Sequence, residues 1–323
     1  MSTIPHRNTV RAFVCHASRK SIFTMILGAI GLFAPARSHA QVTTFAGLVI
    51  ENTCKAQVLE PNEKQWHALV SPRGCHRPLV SGEQLKCGSS SGSLTILDSK
   101  TYKTISGDQK YVVEISSVLN EVVEYSEPAF TRGEKPPDTI FFSPASEGTI
   151  QPEHFVVRWV PPPEIGHVAL SVVPKSASKN ILYSGHLGGA SGALDSQQLR
   201  DALAMYRDRG GLDPLVLQLI DAKGDPYSVT FTVLTPPNAK KLTQALAEWD
   251  GKDSLVRHLG RSSVYSSFGL YYEAATESEL ALRESPKSRL LLQLTVNAER
   301  RTGNSVRANE LETQLSQMTA KVQ

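Results

Sequence analysis

The segment Leu259–Pro286, LGRSSVYSSFGLYYEAATESELALRESP, decides how the second half of the chain folds. Its pattern predicts two short helices joined by a tight turn at Phe268-Gly269. A helical hairpin of this kind provides a surface for binding a partner or for closing a core. We find no catalytic constellation in it, so the segment favours binding over catalysis.

The hairpin belongs to a helical region that we place at 238–323. A first helix at 239–249 is indicated by an apolar face of Leu242, Ala245, Leu246 and Trp249. Short breaks then separate further helix candidates at 253–267, 270–284, 288–301 and 305–319. The region therefore repeats a helix–turn–helix unit.

These helices resemble tetratricopeptide (TPR) repeats. Gly269, Tyr272 and Ala281 have the family's spacing, and Gly303 follows Gly269 at the family's repeat length of about 34 residues. The second copy has Val306 and Leu315 in the places of Tyr272 and Ala281. The family places its Gly inside a helix, whereas the local pattern places Gly269 in a turn. About three repeats are needed for a free-standing array, and only about two are present here. We therefore expect either that helix 239–249 caps one end of the array or that the array packs on the β structure before it.

Residues 1–40 have the order of a secretory signal. The 13-residue apolar run Ile22–Ala34 follows a basic lead, and Ser38-His39-Ala40 provides the small residues that a signal peptidase recognises. We predict cleavage after Ala40 and an exported protein, periplasmic or extracellular. The alternative is an uncleaved anchor, although the run is short for a membrane span.

Removal of this segment changes the charge of the chain. Residues 1–40 contain five of the 34 basic residues and no acidic ones, which leaves 29 Lys and Arg against 31 Asp and Glu. The remaining 283 residues thus have a formal charge of −2. This balance does not favour a nucleic-acid partner, and the length allows two or three domains.

Residues 41–123 predict a small β barrel or sandwich, because short alternating or β-branched runs are separated by turn signals. The candidate strands are Thr43–Glu51, Lys55–Leu59, Trp66–Val70, Ser93–Leu97, Tyr102–Ile105 and Tyr111–Ile115. The order of Trp66, the turn Ser81–Glu83 and the strand Ser93–Leu97 resembles the FecR-type periplasmic β domain. Glu83 departs from that family, whose turn has Asp, and nothing matches the family's membrane and cytoplasmic parts.

Three cysteines, Cys54, Cys75 and Cys87, follow the signal. In an oxidising compartment we expect one disulfide. We favour Cys75–Cys87, which closes a short loop, and pairings with Cys54 stay open. A zinc site with His67 or His76 is the alternative, but the paired CxxC spacing of structural sites is absent, so we predict no metal or cofactor.

A second β module is predicted at 139–235, after a Pro- and charge-rich linker at 124–138. The strand candidates are Phe155–Trp159, His167–Val173, Ile181–Ser184, Leu215–Ile220 and Ser228–Leu234. The order SPxxxGTIxP followed by FVVRW resembles bacterial immunoglobulin (Ig)- or fibronectin-like sandwiches. That resemblance implies that Trp159 is a core tryptophan.

A helix at 195–209 is inserted into this module. Asp195 and Gln198 have a capping-box-like spacing, and Gly210-Gly211 ends the apolar periodicity. The Gly-rich stretch Ser184–Gly192, which contains His186, lacks the ending of a P-loop and is expected to be a structural loop.

The expected fold class is therefore α+β and multidomain: two mainly-β modules followed by an α-helical TPR-like region. The favoured function is a non-catalytic interaction or adaptor protein of the bacterial envelope that binds a protein partner. The candidate contact residues are Tyr271, Tyr265 and Tyr272. Tyr272 has the position of a packing residue, whereas Tyr271 is the better candidate for exposure.

Two alternatives stay open. A glycan or peptidoglycan binder would use exposed aromatic residues of the β modules, Trp66 or Tyr102. An enzyme would need carboxylates to converge with some of the scattered histidines, which are His67, His76, His154, His167 and His186.

Overall fold

A computed structural model describes residues 44–69, 76–98, 101–114, 140–160, 167–188, 192–221 and 223–320. The predicted signal segment, the predicted linker at 124–138 and Cys75 lie outside these residues. Within them no helix is long and apolar enough to span a membrane.

The first β module, residues 44–114, consists of two antiparallel four-stranded sheets. Its strands are β1 (Phe45–Asn52), β2 (Gln57–Leu59), β3 (His67–Ala68), β4 (Pro78–Val80), β5 (Gln84–Lys86), β6 (Ser93–Asp98), β7 (Thr101–Ser106) and β8 (Lys110–Val112). The strand orders are β4-β1-β6-β7 and β3-β2-β5-β8. Val49 and Ile96 of the first sheet meet Val58 and Leu85 of the second in one core.

The disulfide joins Cys54 to Cys87, with a Cα–Cα distance of 5.3 Å. The favoured pairing of Cys75 with Cys87 was therefore wrong. The reason is the topology, because the amide N–H groups of Gly88 and Ser89 both donate to the Cys54 carbonyl, at 3.1 and 3.0 Å. These bonds place Cys54 and Cys87 side by side, although they are 33 residues apart in the sequence. The disulfide also removes both thiols from the zinc alternative.

Strand β1 is buried on both faces. All six residues of Phe45–Ile50 are buried, and such a continuous apolar run is typical of a strand that is covered on both sides. One side of β1 faces the core of its own module. Phe45, Leu48 and Ile50 belong to a different core, which the C-terminal helices complete.

The second β module is also built from two sheets, with the orders β10-β16-β15-β12-β13 and β14-β11-β9. Its elements are β9 (Phe141–Ser143), β10 (Thr149–Ile150), a 3-10 turn (Pro152–His154), β11 (Val157–Trp159), β12 (His167–Pro174), β13 (Tyr183–Gly188), β14 (Ala193–Leu194), α1 (Gln197–Asp208), β15 (Leu215–Ile220) and β16 (Pro226–Val233). Trp159 is a core residue, as expected, and Leu199 and Leu203 attach α1 to the same core.

Two local predictions in this module were wrong. Helix α1 is capped by Ser196, whose side chain accepts a bond from the Leu199 amide, while Asp195 forms an ion pair with Arg200 instead. The predicted loop Ser184–Gly192 is strand β13 as far as Gly188. This part pairs with β12, so Gly185 and Gly188 lie in a strand and do not open a phosphate-binding loop.

The helical region contains α2 (Pro236–Ala247), α3 (Ser254–Ser267), α4 (Tyr271–Glu284), α5 (Arg289–Thr302) and α6 (Ser305–Ala320). Gly269 lies in the α3–α4 turn with φ +74°, and Gly303 ends α5 with φ +89°. A left-handed backbone favours glycine at both points. The local interpretation of Gly269 as a turn is thus confirmed. The register that the tetratricopeptide resemblance implies for this glycine is not observed.

The helices pack on both β modules. Leu255, Leu259 and Leu290 share a core with Leu48 and Leu97 of the first module. On the other side, the Thr149 amide of the second module donates to the Gly269 carbonyl at 2.8 Å. The fold is therefore α+β, and the helical region has its apolar faces covered by its neighbours rather than by a third repeat.

Candidate functional site

A groove lies where the second β module meets α3 and α4. Its first cavity has a volume of about 270 Å³. The wall from the β module includes Ala145, His154 and Arg158, and the helical wall includes Glu273 and Thr276. The docking of the α3–α4 turn on β10 fixes the two walls relative to each other.

The three tyrosines expected to contact a partner all line this cavity: Tyr265, Tyr271 and Tyr272. All three are half-buried, so exposure does not separate Tyr271 from Tyr272. The Tyr272 ring lies 6.3 Å from the Phe142 ring, and the Arg158 guanidinium lies 5.5 Å from its centroid. Tyr272 therefore packs on the β module and also lines the cavity.

Arg158 is the arginine that lines the first cavity. It lies on β11, and within the described residues its guanidinium forms no ion pair and its buried Nε has no hydrogen-bond partner. Its interaction with the Tyr272 ring provides partial compensation for the charge. A half-buried guanidinium without a carboxylate is unusual, because five N–H donors then lack a strong acceptor.

The carboxylates of the helical wall are in two different states. Burial raises the pKa of Glu273 to about 7. Glu277 is buried in a polar network, with His258 Nδ1 at 2.6 Å and Arg261 at 3.9 Å. Burial also raises the pKa of Tyr265, and the nearby Glu277 charge adds to this effect.

A second cavity of about 280 Å³ continues the groove along α4 and shares Tyr272 and Thr276 with the first. Its lining includes Arg283, which is exposed, and two glutamates. Glu279 forms a bidentate pair with Arg307, at 2.7 and 3.0 Å. Burial raises the pKa of Glu299 to about 7.

Only one of the five histidines considered for catalysis, His154, is among the residues that line the groove. His67 is exposed and contacts Glu63 at 2.8 Å. His76 is half-buried in the first module, where desolvation lowers its pKa to about 4. His167 and His186 lie on β12 and β13. Among the described residues, no group of three potential metal ligands is present.

The sequence did not single out the arginines and glutamates that line the groove, which are Arg158, Glu273, Glu277, Glu279, Arg283 and Glu299. Each is an ordinary charged residue in its local pattern. The only signal was the odd apolar–polar alternation of FVVRW, which places Arg158 between two buried residues, Val157 and Trp159. The Trp66 ring, considered for glycan binding, is half-buried with the Lys86 ammonium 4.2 Å from its centroid.

No protein-family model matches this chain, and a search of curated proteins finds no significant similarity.

Proposed function

We propose that this chain is a non-catalytic interaction protein of the bacterial envelope, and that a segment of a protein partner binds in the groove between the second β module and α4. The observation that carries the proposal is the convergence of Tyr265, Tyr271 and Tyr272 with Arg158 around one cavity. Tyr and Arg are the residue types that most often contribute binding energy at protein interfaces.

The shape of the groove suits an extended segment. The two cavities follow α4 from Tyr271 to Arg283, a rise of about 18 Å at 1.5 Å per residue. An extended chain covers this length with about five or six residues. Backbone groups of such a segment could bond to Thr276, which is exposed between the two cavities.

The identity of the modules and the location remain part of the proposal. The FecR-like and Ig-like assignments are supported by two-sheet architectures in both β modules, and the TPR-like assignment by consecutive helical hairpins. Export and cleavage after Ala40 are supported by the sequence of residues 1–40. The Cys54–Cys87 disulfide agrees with an oxidising compartment.

Site-specific photo-crosslinking tests the proposal. A photoreactive residue at Thr276, inside the groove, should give a discrete adduct with a partner in the producing bacterium. The same residue at Thr313, which is exposed on α6, is the matched control and should not. Tyr272→Ala should reduce the Thr276 adduct, because it removes an aromatic wall. Equal adducts from both positions, or a Thr276 adduct that Tyr272→Ala leaves unchanged, would contradict the proposal.

A glycan-binding function is the second candidate, and the exposure of Tyr102 favours it. This side chain is 39% exposed on β7 of the first module, so its ring face could stack on a sugar. Purified protein should then sediment with peptidoglycan, and Tyr102→Ala should remain in the supernatant. Sedimentation that Tyr102→Ala does not change would exclude this residue as the contact.

A further inference from the structure

We infer that the groove selects an acidic segment, in which one carboxylate pairs with Arg158 and a second carboxylate, further along the segment, pairs with Arg283. This inference rests on the proposed function, because it specifies the chemistry of the partner that the groove would bind. It follows from the charges along the two cavities. Within the described residues the two arginines form no ion pair, two of the four carboxylates are already paired, and the other two are desolvated.

The groove has an arginine in each of its two cavities. Arg158 lines the first cavity and Arg283 lines the second. Within the part of the chain that the structure describes, neither guanidinium forms an ion pair, and the buried Nε of Arg158 has no acceptor. A guanidinium binds a carboxylate through two parallel N–H···O bonds. An incoming carboxylate would therefore supply what Arg158 lacks.

Two of the four groove carboxylates are already paired within the protein. Glu277 contacts His258 at 2.6 Å and has Arg261 at 3.9 Å. Glu279 accepts two bonds from Arg307, at 2.7 and 3.0 Å. Neither is therefore an uncompensated anion that would attract a basic segment or repel an acidic one strongly.

The other two carboxylates, Glu273 and Glu299, are desolvated. Burial raises the pKa of each to about 7, so both hold a proton in slightly acidic solution. A protonated carboxyl donates a hydrogen bond and can therefore face a carboxylate of the ligand.

The spacing of the two arginines defines the ligand further. From Tyr272, which contacts Arg158, to Arg283 the helix rises by about 16 Å. An extended segment covers that distance in about five residues. We therefore expect two acidic residues about five positions apart, with apolar or aromatic residues between them to contact Tyr272 and Leu280.

Selection from random dodecapeptides displayed on phage tests the inference, with the purified full-length protein as bait at pH 6.5. Peptides that also bind the Tyr272→Ala variant are discarded in a counter-selection. The enriched peptides should contain more Asp and Glu than the starting library. Synthetic versions should lose about tenfold or more in affinity when their acidic residues are replaced by Asn and Gln.

Arginine variants then locate the charge contact. Arg158→Gln should weaken an enriched acidic peptide about tenfold, and Arg283→Gln should weaken it less, because that side chain is more exposed. Arg209→Gln, at an exposed arginine of the second module, is the matched control and should leave the affinity unchanged. Circular dichroism verifies that each variant is folded.

The outcomes separate the two levels of the proposal. Enriched peptides that depend on Tyr272 but are neutral or basic would overturn the acidic preference and leave the binding groove standing. Acidic peptides whose affinity is equal in wild type and Arg158→Gln would also overturn it. If no enriched peptide depends on Tyr272, the groove itself is not a peptide site, and the proposed function fails with it.

Discussion

Glu83, in the turn between β4 and β5, is a buried residue and only 2% exposed. Its carboxylate accepts bonds from Arg77 at 2.9 and 3.3 Å and from the Val80 amide at 3.0 Å. The Arg77 guanidinium also lies 5.3 Å from the centroid of the Trp249 ring. The Glu83 side chain thus reaches a cation at the junction between the first β module and the helices. A shorter Asp at this position would not extend as far towards Arg77.

We predict that Glu83→Gln is strongly destabilising. It leaves the buried Arg77 charge uncompensated, and the loss of one partner of a buried ion pair costs about 3–5 kcal/mol. Urea denaturation should show the lower midpoint. Glu63→Gln is the control, since Glu63 pairs with His67 at the surface and should change stability by less than about 1 kcal/mol. Similar midpoints for the two variants would contradict a buried pair.

The protonation of Glu299 should make the stability of the protein depend on pH. Burial raises its pKa from 4.5 to about 7, so between these values the folded chain holds a proton that the unfolded chain has released. The folded state binds more protons, and stability must therefore fall as the pH rises through this window. Glu279 opposes ionisation of Glu299, whereas Arg307 and Asn304 favour it.

Glu299→Gln should therefore reduce the loss of stability between pH 5 and pH 8. We expect the variant to exceed wild type at pH 8 by on the order of 1–2 kcal/mol and to equal it near pH 5, as measured by urea midpoints. Some slope should remain, because the pKa of Glu273 is also about 7. Glu248→Gln, at an exposed site, is the control. An unchanged slope in Glu299→Gln would show that Glu299 ionises freely in the folded state.

At the scale of elements, α3 packs on Trp249 through a glycine. Gly260 is buried within the helix, and a Cβ atom there would lie 2.1 Å from the Trp249 ring. Glycine in a helix normally costs about 1 kcal/mol relative to alanine. At Gly260 the clash between a Cβ atom and the Trp249 ring would cost more than the glycine does. The helix therefore has a residue of low helix propensity at this position.

Gly260→Ala should therefore destabilise the protein, by about 1–3 kcal/mol, although the same change stabilises most helices. The measurement is the urea midpoint of the single variant and of Gly260→Ala combined with Trp249→Leu. The smaller leucine makes room, so the alanine should cost less in that background, with a coupling above about 0.5 kcal/mol. A higher midpoint for Gly260→Ala alone would mean that the ring and the helix are not in contact.

The helices α3 to α6 could be predicted from the sequence, whereas several short strands could not. Local signals were sufficient for α3 to α6, whose observed ends lie within one residue of the predicted ranges, because periodicity and the glycines at 269 and 303 are local. The short strands β4, β5, β9 and β10 were not among the predicted strands. Each has two or three residues, too few for an alternating pattern, and is defined by its pairing partner.

The disulfide and the groove were unpredictable for a related reason. Cys54 meets Cys87 through contacts between the segments that follow β1 and β5, and Arg158 meets Tyr272 across more than a hundred residues of sequence. The sequence identified the tyrosines because they lie within one patterned hairpin. It could not identify the arginine on the opposite wall, because only the docking of the two modules brings that residue to the cavity.

At the scale of the whole molecule, the helical region serves as the second cover of the first β module. The sheet β4-β1-β6-β7 presents Phe45, Leu48, Ile50, Val80 and Leu97 to the helices. Lys252 adds an ion pair with Glu60 at 2.6 Å. This packing explains how a few consecutive helices can be stable at this end of the chain, since their apolar faces meet a β module.

Deletion of 238–323 should therefore expose an apolar sheet face and cause aggregation. A truncated chain ending at residue 237 should bind the dye 8-anilinonaphthalene-1-sulfonate and elute as large species in size-exclusion chromatography, because contiguous exposed apolar patches favour association. The control is a full-length chain with a protease site at Asp250-Gly251, in the exposed turn between α2 and α3. After cleavage its helices remain present, so the two fragments should co-elute as a dye-free complex of the original size. A truncated chain that is monomeric and does not bind the dye would show that the first β module does not need the helices, and that their contact with β1 is dispensable.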